Sequence, residues 1–458
     1  MKVVMVTGDI EEIDRRIIQE AVTLRMAGHQ VVVIAPRSAG QQSIEEVREI
    51  PIIRIPDQTS DWLETKIRAV FGRLSRLVTY LMNSTEGTRS ASKSTPHTTD
   101  DLDTLQVTQP YTSLRNDSMI PWLKVQSTTT FLCRAVIFLS RQVRSISPRD
   151  TELARAILSH SPDVIHVHDA PQLQAGAIAA SERKTPLIYD SHELWTGISA
   201  LSKFQRGRIR RLEETTIPRC SAVITVNGHV AEEIQRLYRS KRPTVILNSV
   251  DTLTVPGKTD RLRQAFRISS NERIVLYQGW FSPERGIDLL LRAMCHTNSR
   301  THLVLMGYGE YIEELMSIAS KLGIADRVHH KHKVPQSELL EWTASADVGV
   351  IPYPAVDLNH RLCSPNKLFE FIQADLRVIG NDLPFLREVI VGDRIGLVAA
   401  IDNEAEFGSA IEQVAWCGGD EIQRYESALK SARDRYSWEL QAELLLATYS
   451  AIHRLEGI

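Results

Sequence analysis

Short apolar runs alternate with amphipathic stretches along most of this chain. Residues 3–7 read as a buried strand, 14–26 as a helix and 30–35, after Gly28, as a second strand. Further strands are predicted at 163–168, 186–190 and 222–226, with a helix over 172–183. Near-continuous apolar strands joined by helical crossovers imply a parallel sheet covered on both faces. The pattern then starts again. Residues 273–279 read as a strand entering a turn, and Ser282-Pro283 as the cap of a helix running to 293. Strands at 302–306, 328–332 and 348–351 follow, then a helix opened by Ser364-Pro365 and a strand leading into the turn at Asp382-Leu383-Pro384. The chain therefore divides into a first domain over 1–250, a second over 251–435 and an amphipathic helix within 436–458, with the linker at 248–257.

One stretch, about 56–149, breaks the alternation within the first domain. Its centre, 83–118, is rich in Ser, Thr and Asp and reads as a loop or a disordered segment. Two amphipathic segments flank it. In 62–82, Leu63, Ile67, Val70, Leu74, Leu77 and Leu81 form one stripe, with Lys66, Arg68, Arg73 and Arg76 outside it. In 122–144 the charges are all positive: Lys124, Arg134, Arg141 and Arg144. Such faces suit an anionic membrane surface, and equally suit packing on their own domain.

The length, 458 residues, is enough for two cores. A formal charge of −2 gives no general attraction for nucleic acid. The five cysteines are scattered, with no CxxC pair, which argues for a reducing compartment and against structural zinc. Residues 1–8 lack the hydrophobic run of a leader, and no stretch is long and apolar enough to span a bilayer. The expected location is the cytoplasm, peripheral to the inner membrane face if the insertion binds lipid.

Ligands in doubly wound folds bind at the carboxyl ends of the strands, and the candidate chemistry falls there. His192 follows a strand within Asp190-Ser191-His192-Glu193 and is placed to contact a hydroxyl or exchange a proton at neutral pH. His166 and His168 share one strand face, but the sequence offers no third metal ligand, so no metal site is expected. Arg285, in Gly279-Trp280-Phe281-Ser282-Pro283-Glu284-Arg285-Gly286, and Lys367, in Ser364-Pro365-Asn366-Lys367, are both expected in the first turns of helices. Cations set against the positive end of a helix dipole point to an anion, and two of them to a diphosphate. The glycine pair of Gly307-Tyr308-Gly309 is a weak phosphate-loop signal, and the tract 329–333 splits its histidines between strand faces.

Taken in order, these motifs resemble the retaining glycosyltransferases of family four, which have the GT-B fold of two Rossmann-like domains facing across a cleft. The resemblance covers roughly 1–55 and 150–458. It rests on Asp14-Arg15-Arg16-Ile17, His166-Val167-His168-Asp169, Asp190-Ser191-His192-Glu193, Leu247-Asn248-Ser249-Val250-Asp251, Gly279 to Gly286, and Ser364 to Glu370 with Asp382-Leu383-Pro384. It implies transfer of a sugar from a nucleotide-sugar donor, without a metal ion or other cofactor, to a glycan or lipid-linked acceptor. By the same resemblance His192 faces the donor sugar and acceptor, and Arg285 neutralises the leaving diphosphate. Glu370 holds the ribose, Ser364, Asn366 and Lys367 serve the phosphates, Gly8 and Gly279 lie in loops at the reacting centre, and Val334 borders the base. Three positions depart from the family pattern: Leu362 replaces an acid, Trp280 replaces an arginine, and a paired glycine is reduced to Gly8-Asp9. A nucleotide-sugar 2-epimerase of the same fold and a non-catalytic, transferase-like partner subunit are the competing readings.

Overall fold

In the computed structural model, residues 1–38, 40–56, 147–252 and 257–456 are described. The segments 62–82 and 122–144, and the polar stretch between them, lie outside the described residues. Among those described, two α/β units follow one another.

The first sheet has eight strands: β1 (Lys2–Val6), β2 (Gln30–Arg37), β3 (Ile44–Val47), β4 (Ile50–Pro56), β5 (Val164–His168), β6 (Leu187–Ser191), β7 (Ala222–Thr225) and β8 (Thr244–Val245). Their order is β3-β4-β2-β1-β5-β6-β7-β8, parallel except for the β3–β4 hairpin, which the alternation did not reveal. The central strands β1, β5 and β6 are buried along almost their whole length, which is why they are mostly apolar, with His166, His168, Asp190 and Ser191 as buried exceptions.

The second sheet is wholly parallel. It comprises β9 (Arg273–Trp280), β10 (Thr301–Tyr308), β11 (Val328–His332), β12 (Val348–Ile351), β13 (Arg377–Asn381) and β14 (Gly396–Ala399), in the order β11-β10-β9-β12-β13-β14. In both sheets the order reverses beside the first strand of the unit, creating the crevice where such folds bind ligands.

The helix Trp438–Glu456 returns to the first unit. Trp438, Leu445, Tyr449 and Ile452 enter the core built by Val3, Ile17 and Val33. Val250 and Ser437 form a bridge, and Trp438 N–H donates to the Val250 carbonyl (3.1 Å), so the two passages between the units run side by side.

Two predicted helix starts are corrected. A short helix, Leu358–Leu362, follows β12; the helix expected from Ser364-Pro365 is Asn366–Gln373, and its N-cap position is Pro365 rather than Ser364. Ser364 Oγ has no hydrogen-bond partner among the described residues, and the helix start carries no side-chain cap from its N-cap residue. Ser282-Pro283 opens only a 3₁₀ turn, Pro283–Arg285, with no side-chain cap. Gly286 (φ 68°) breaks it before the helix Ile287–Met294. A Cβ at Gly286 would sit 2.3 Å from the Pro352 carbonyl oxygen, so the break is enforced by packing. Arg285 therefore lies just before a helix, not in its first turn.

Candidate functional site

The strand ends of the second sheet gather the predicted cations. Gly279 (φ 118°), the penultimate residue of β9, lies against Lys367. A Cβ there would lie 3.6 Å from Lys367 Nζ. The ammonium stands 3.6 Å from the centre of the Tyr277 ring and 4.8 Å from that of Tyr353. Arg285 lies over the other part of this nest, its Cζ 4.7 Å from the Tyr353 ring. Lys367 is only 6% exposed, and Nζ has no hydrogen-bond partner among the described residues. Burial, then the neighbouring Arg285, pushes its pKa well below the usual lysine value. Ser282 Oγ and Ser364 Oγ are likewise buried without partners. Cation–π contact offsets only part of the cost of burying an ammonium, and an anion would supply the rest.

Glu370 lies one turn beyond Lys367. Its Oε2 accepts from Gln278 Nε2 (2.5 Å), whose Oε1 accepts from Thr343 Oγ1 (2.8 Å). Its Oε1 accepts from Arg15 Nη1 (2.6 Å), a residue of the first unit. Val334 is buried just beyond β11, and Asn366 opens the Lys367 helix. The loop glycine Gly307 has a structural reason: a Cβ there would meet the Gly279 carbonyl oxygen at 1.8 Å.

The two departures at the clamp are visible as geometry. Trp280 is 49% exposed at the end of β9 and pairs in register with Tyr308 of β10. Leu362 packs against the core of the first unit, and its carbonyl accepts from Asn227 Nδ2 (2.7 Å). Nearby, Asn359 Oδ1 accepts from the Leu194 amide (2.8 Å), and the Ser364 carbonyl from Asn248 Nδ2 (3.1 Å). The segment where the sequence pattern leads one to expect an acid is thus a seam between the units.

On the first unit, Gly8 lies two residues beyond β1, and a Cβ there would lie 2.8 Å from Gln172 Nε2. His192 follows β6 and turns inward. Its Nε2 is 3.2 Å from His168 Nδ1 and 3.4 Å from Asp190 Oδ2, and its Nδ1 is 3.8 Å from Asp169 Oδ2. Burial would lower its pKa, but the Asp190 and Asp169 carboxylates prevail and raise it to about 10. A shift in that direction favours the imidazolium at neutral pH. Asp169 adopts φ 66°, ψ 159°, a strained conformation for a non-glycine residue. It is held by hydrogen bonds to Oδ1 from the His192 amide (3.0 Å) and Trp195 Nε1 (2.9 Å).

Behind His192 lies a fully buried cluster. Arg16 Nη2 spans both Asp190 oxygens (3.0 and 2.8 Å), and its Nε donates to Glu20 Oε1 (2.9 Å). Burial, then the Asp190 carboxylate, raises the Glu20 pKa, while burial lowers His166 to about 4. His166 Nδ1 meets Tyr449 Oη at 3.0 Å. Glu20, His166, His168 and Asp190 could together offer a metal ligand set that the sequence did not reveal. Arg16, however, already occupies both carboxylates. Sequence reasoning also missed Arg15, Gln278, Tyr277 and Tyr353; all sit on quoted motifs or strand ends, but their partners are remote in sequence.

Comparison with known proteins adds the following. The sequence model described as "Glycosyltransferase Family 4" matches residues 130–253, and that of "Glycosyl transferases group 1" matches 258–428. The D-inositol 3-phosphate glycosyltransferase of Xylanimonas cellulosilytica is 24% identical over 311 residues, covering 63% of this chain and 72% of that protein. The protein of the same name from Thermomonospora curvata is 25% identical over 333 residues, covering 65% and 74%. Among solved structures, Anabaena HepE in complex with UDP-glucose superposes with TM-score 0.66 at 15% identity, covering 98% of this chain and all of that one. Sucrose-phosphate synthase of Thermosynechococcus elongatus superposes with TM-score 0.64 at 16% identity, covering 99% of each.

Proposed function

The chain belongs to the GT-B glycosyltransferases of the family 4 type, and from that premise we propose that it transfers a sugar, with retention, from a nucleoside-diphosphate sugar to a glycan or lipid-linked acceptor. The observation that carries the donor half is the buried, unpartnered Lys367 ammonium beneath Gly279, with Arg285 beside it. Two unpaired cations and an uncapped helix start match the charge that develops on a leaving diphosphate. The ribose falls to Glu370, the base to the loop at Val334, and the phosphates to Asn366, Ser364 and Lys367. The UDP-glucose bound by HepE is a donor of this class.

In this reading the glycosyl–phosphate bond breaks as the acceptor oxygen attacks the same face, and the departing phosphate accepts the acceptor's proton. The cations of Arg285 and Lys367 lower that barrier, so a divalent ion is not required. His192, held as an imidazolium, orients the sugar by donating a hydrogen bond rather than by taking a proton. The inositol-phosphate glycosyltransferase relatives favour transfer over epimerisation or a non-catalytic role.

The test is nucleoside-diphosphate release from a panel of UDP-, GDP- and ADP-sugars with an acceptor extract, in the presence of a chelator. Arg285→Ala and Glu370→Ala are expected to lower turnover by at least about a hundredfold while the far-ultraviolet spectrum stays native, as loss of a transition-state charge contact does. Full activity in both variants would sink the assignment, and abolition by the chelator would overturn the metal-free mechanism.

A further inference from the structure

Against the pattern that the family resemblance implies, the second unit is one cation short, with Trp280 in place of an arginine. Trp280, at the end of β9, cannot neutralise phosphate, so Lys367 and Arg285 are the cations this unit's strand ends bring together in the nest. A third cation reaches Glu370, one turn beyond Lys367, from the first unit. Arg15 is the first residue of the helix Arg15–Met26, whose N-cap Asp14 accepts from the Arg16 amide (2.7 Å). That cap fixes the helix start and aims Arg15 across the seam. Its Nη1 donates to Glu370 Oε1 and its Nη2 to the Asn248 carbonyl (3.3 Å). Its Nε is buried and has no partner among the described residues.

Counting donors and acceptors shows what this leaves free. A guanidinium has five N–H donors, and Arg15 spends two of them. A carboxylate offers about four lone-pair sites. Glu370 uses one on each oxygen, for Arg15 and for Gln278. Glu370 thus retains acceptor capacity for a vicinal diol, and Arg15 retains donors, one of them buried, for an anion beside that diol. The desolvated, unsatisfied Nε–H of Arg15 is a donor for which a bound anion would supply the partner.

We propose that Arg15 is a donor-binding residue supplied by the first domain: it orients the Glu370 carboxylate toward the ribose and gives its remaining N–H groups to the adjoining phosphate, replacing the cation that Trp280 does not provide. This rests on the nucleotide-sugar reading above. Its consequence is that diphosphate affinity depends on both domains, because the site is incomplete on the second domain alone.

The experiment is calorimetric titration of the full chain with UDP, GDP and ADP, and with the corresponding nucleosides. The variants are Arg15→Ala, Arg15→Lys, Trp280→Arg, Arg15→Ala with Trp280→Arg, and Lys367→Ala. Arg15→Ala is expected to weaken the tightest diphosphate about ten- to hundredfold, the scale of a charge-assisted hydrogen bond, and the nucleoside much less. Arg15→Lys, which loses the forked geometry, is expected to recover little. Adding Trp280→Arg to Arg15→Ala is expected to restore a large part of the loss. Wild-type affinity in Arg15→Ala, with affinity lost in Lys367→Ala, would overturn this inference alone and leave Arg15 as a seam contact. If the unaltered chain binds none of the three diphosphates, the inference and the donor-site reading fall together.

Discussion

Each domain holds a cluster of charge at its strand ends, and the two are finished differently. In the first, Arg16 lies between the carboxylates of Asp190 and Glu20, and His192 is gripped by Asp190 and Asp169. Opposite charges there meet within the protein, although Glu20 Oε2, His166 Nε2 and His168 Nε2 stay buried without a hydrogen-bond partner among the described residues. In the second, Lys367 and Arg285 rest on tyrosine rings, and Lys367, Ser282 and Ser364 keep buried polar atoms without partners. The first arrangement pairs opposite charges; the second leaves its cations without a carboxylate partner among the described residues, as the proposed donor site requires. Buried ionisable groups therefore say little until their partners are counted.

Breaking one member of each cluster should give opposite results. Asp190→Asn leaves Arg16 buried with its main partner neutralised, and we expect a loss of about 3–5 kcal/mol in urea denaturation. Lys367→Met removes an uncompensated buried charge of similar volume. Stability should hold or rise, while binding of the nucleoside diphosphates disappears. Equal destabilisation by the two variants would erase the distinction.

A smaller effect separates the clusters by pH. The folded pKa of His192 is raised from 6.5 to about 10. Its contribution to stability is therefore fully present below about 6.5 and is lost as pH rises toward 10. Lys367 is shifted the other way, so its cost is present at neutral pH and fades as pH approaches the ordinary lysine value. Denaturation curves between pH 6 and 10 should show the advantage of wild type over His192→Gln shrinking, and its deficit against Lys367→Met shrinking too. Parallel curves for both pairs would contradict these assignments.

The smallest effect is expected at Lys333–Glu12, an ion pair between the units that is more than half exposed on both sides. Glu12→Gln should change stability by less than about 1 kcal/mol, and that little should vanish in high salt. A larger loss would mean that surface charge, rather than the buried clusters, holds the units together.

The fold was legible because buried parallel strands are mostly apolar; β1, β5, β9 and β12 stand almost where their hydrophobic runs lie. The hairpin β3–β4 was not seen: β3 is short and polar, and the apolar positions of β4 are interrupted by Pro51, Arg54 and Pro56. Lys367, Arg285, Glu370 and His192 could be named from their motifs, whereas their surroundings could not. Arg15 and Glu370 are 355 positions apart, and Tyr449 meets His166 across 283. No local pattern encodes such pairs. The misread helix starts share a cause: Ser-Pro is a favourable opening locally, but packing at Gly286 and the extended backbone at Pro365 decide where each helix begins.

The return of the helix Trp438–Glu456 to the first core bears on how the chain is made. Tyr449 and Ile452 close a hydrophobic interior whose other walls, Val3 and Val33, leave the ribosome far earlier. At roughly 5–20 residues per second, domains usually fold in the order of their synthesis. Here the second domain is fully extruded before the first can complete its interior. During that interval the nascent first domain carries an open apolar trough, a place for a chaperone to hold or for a neighbouring chain's helix to be exchanged.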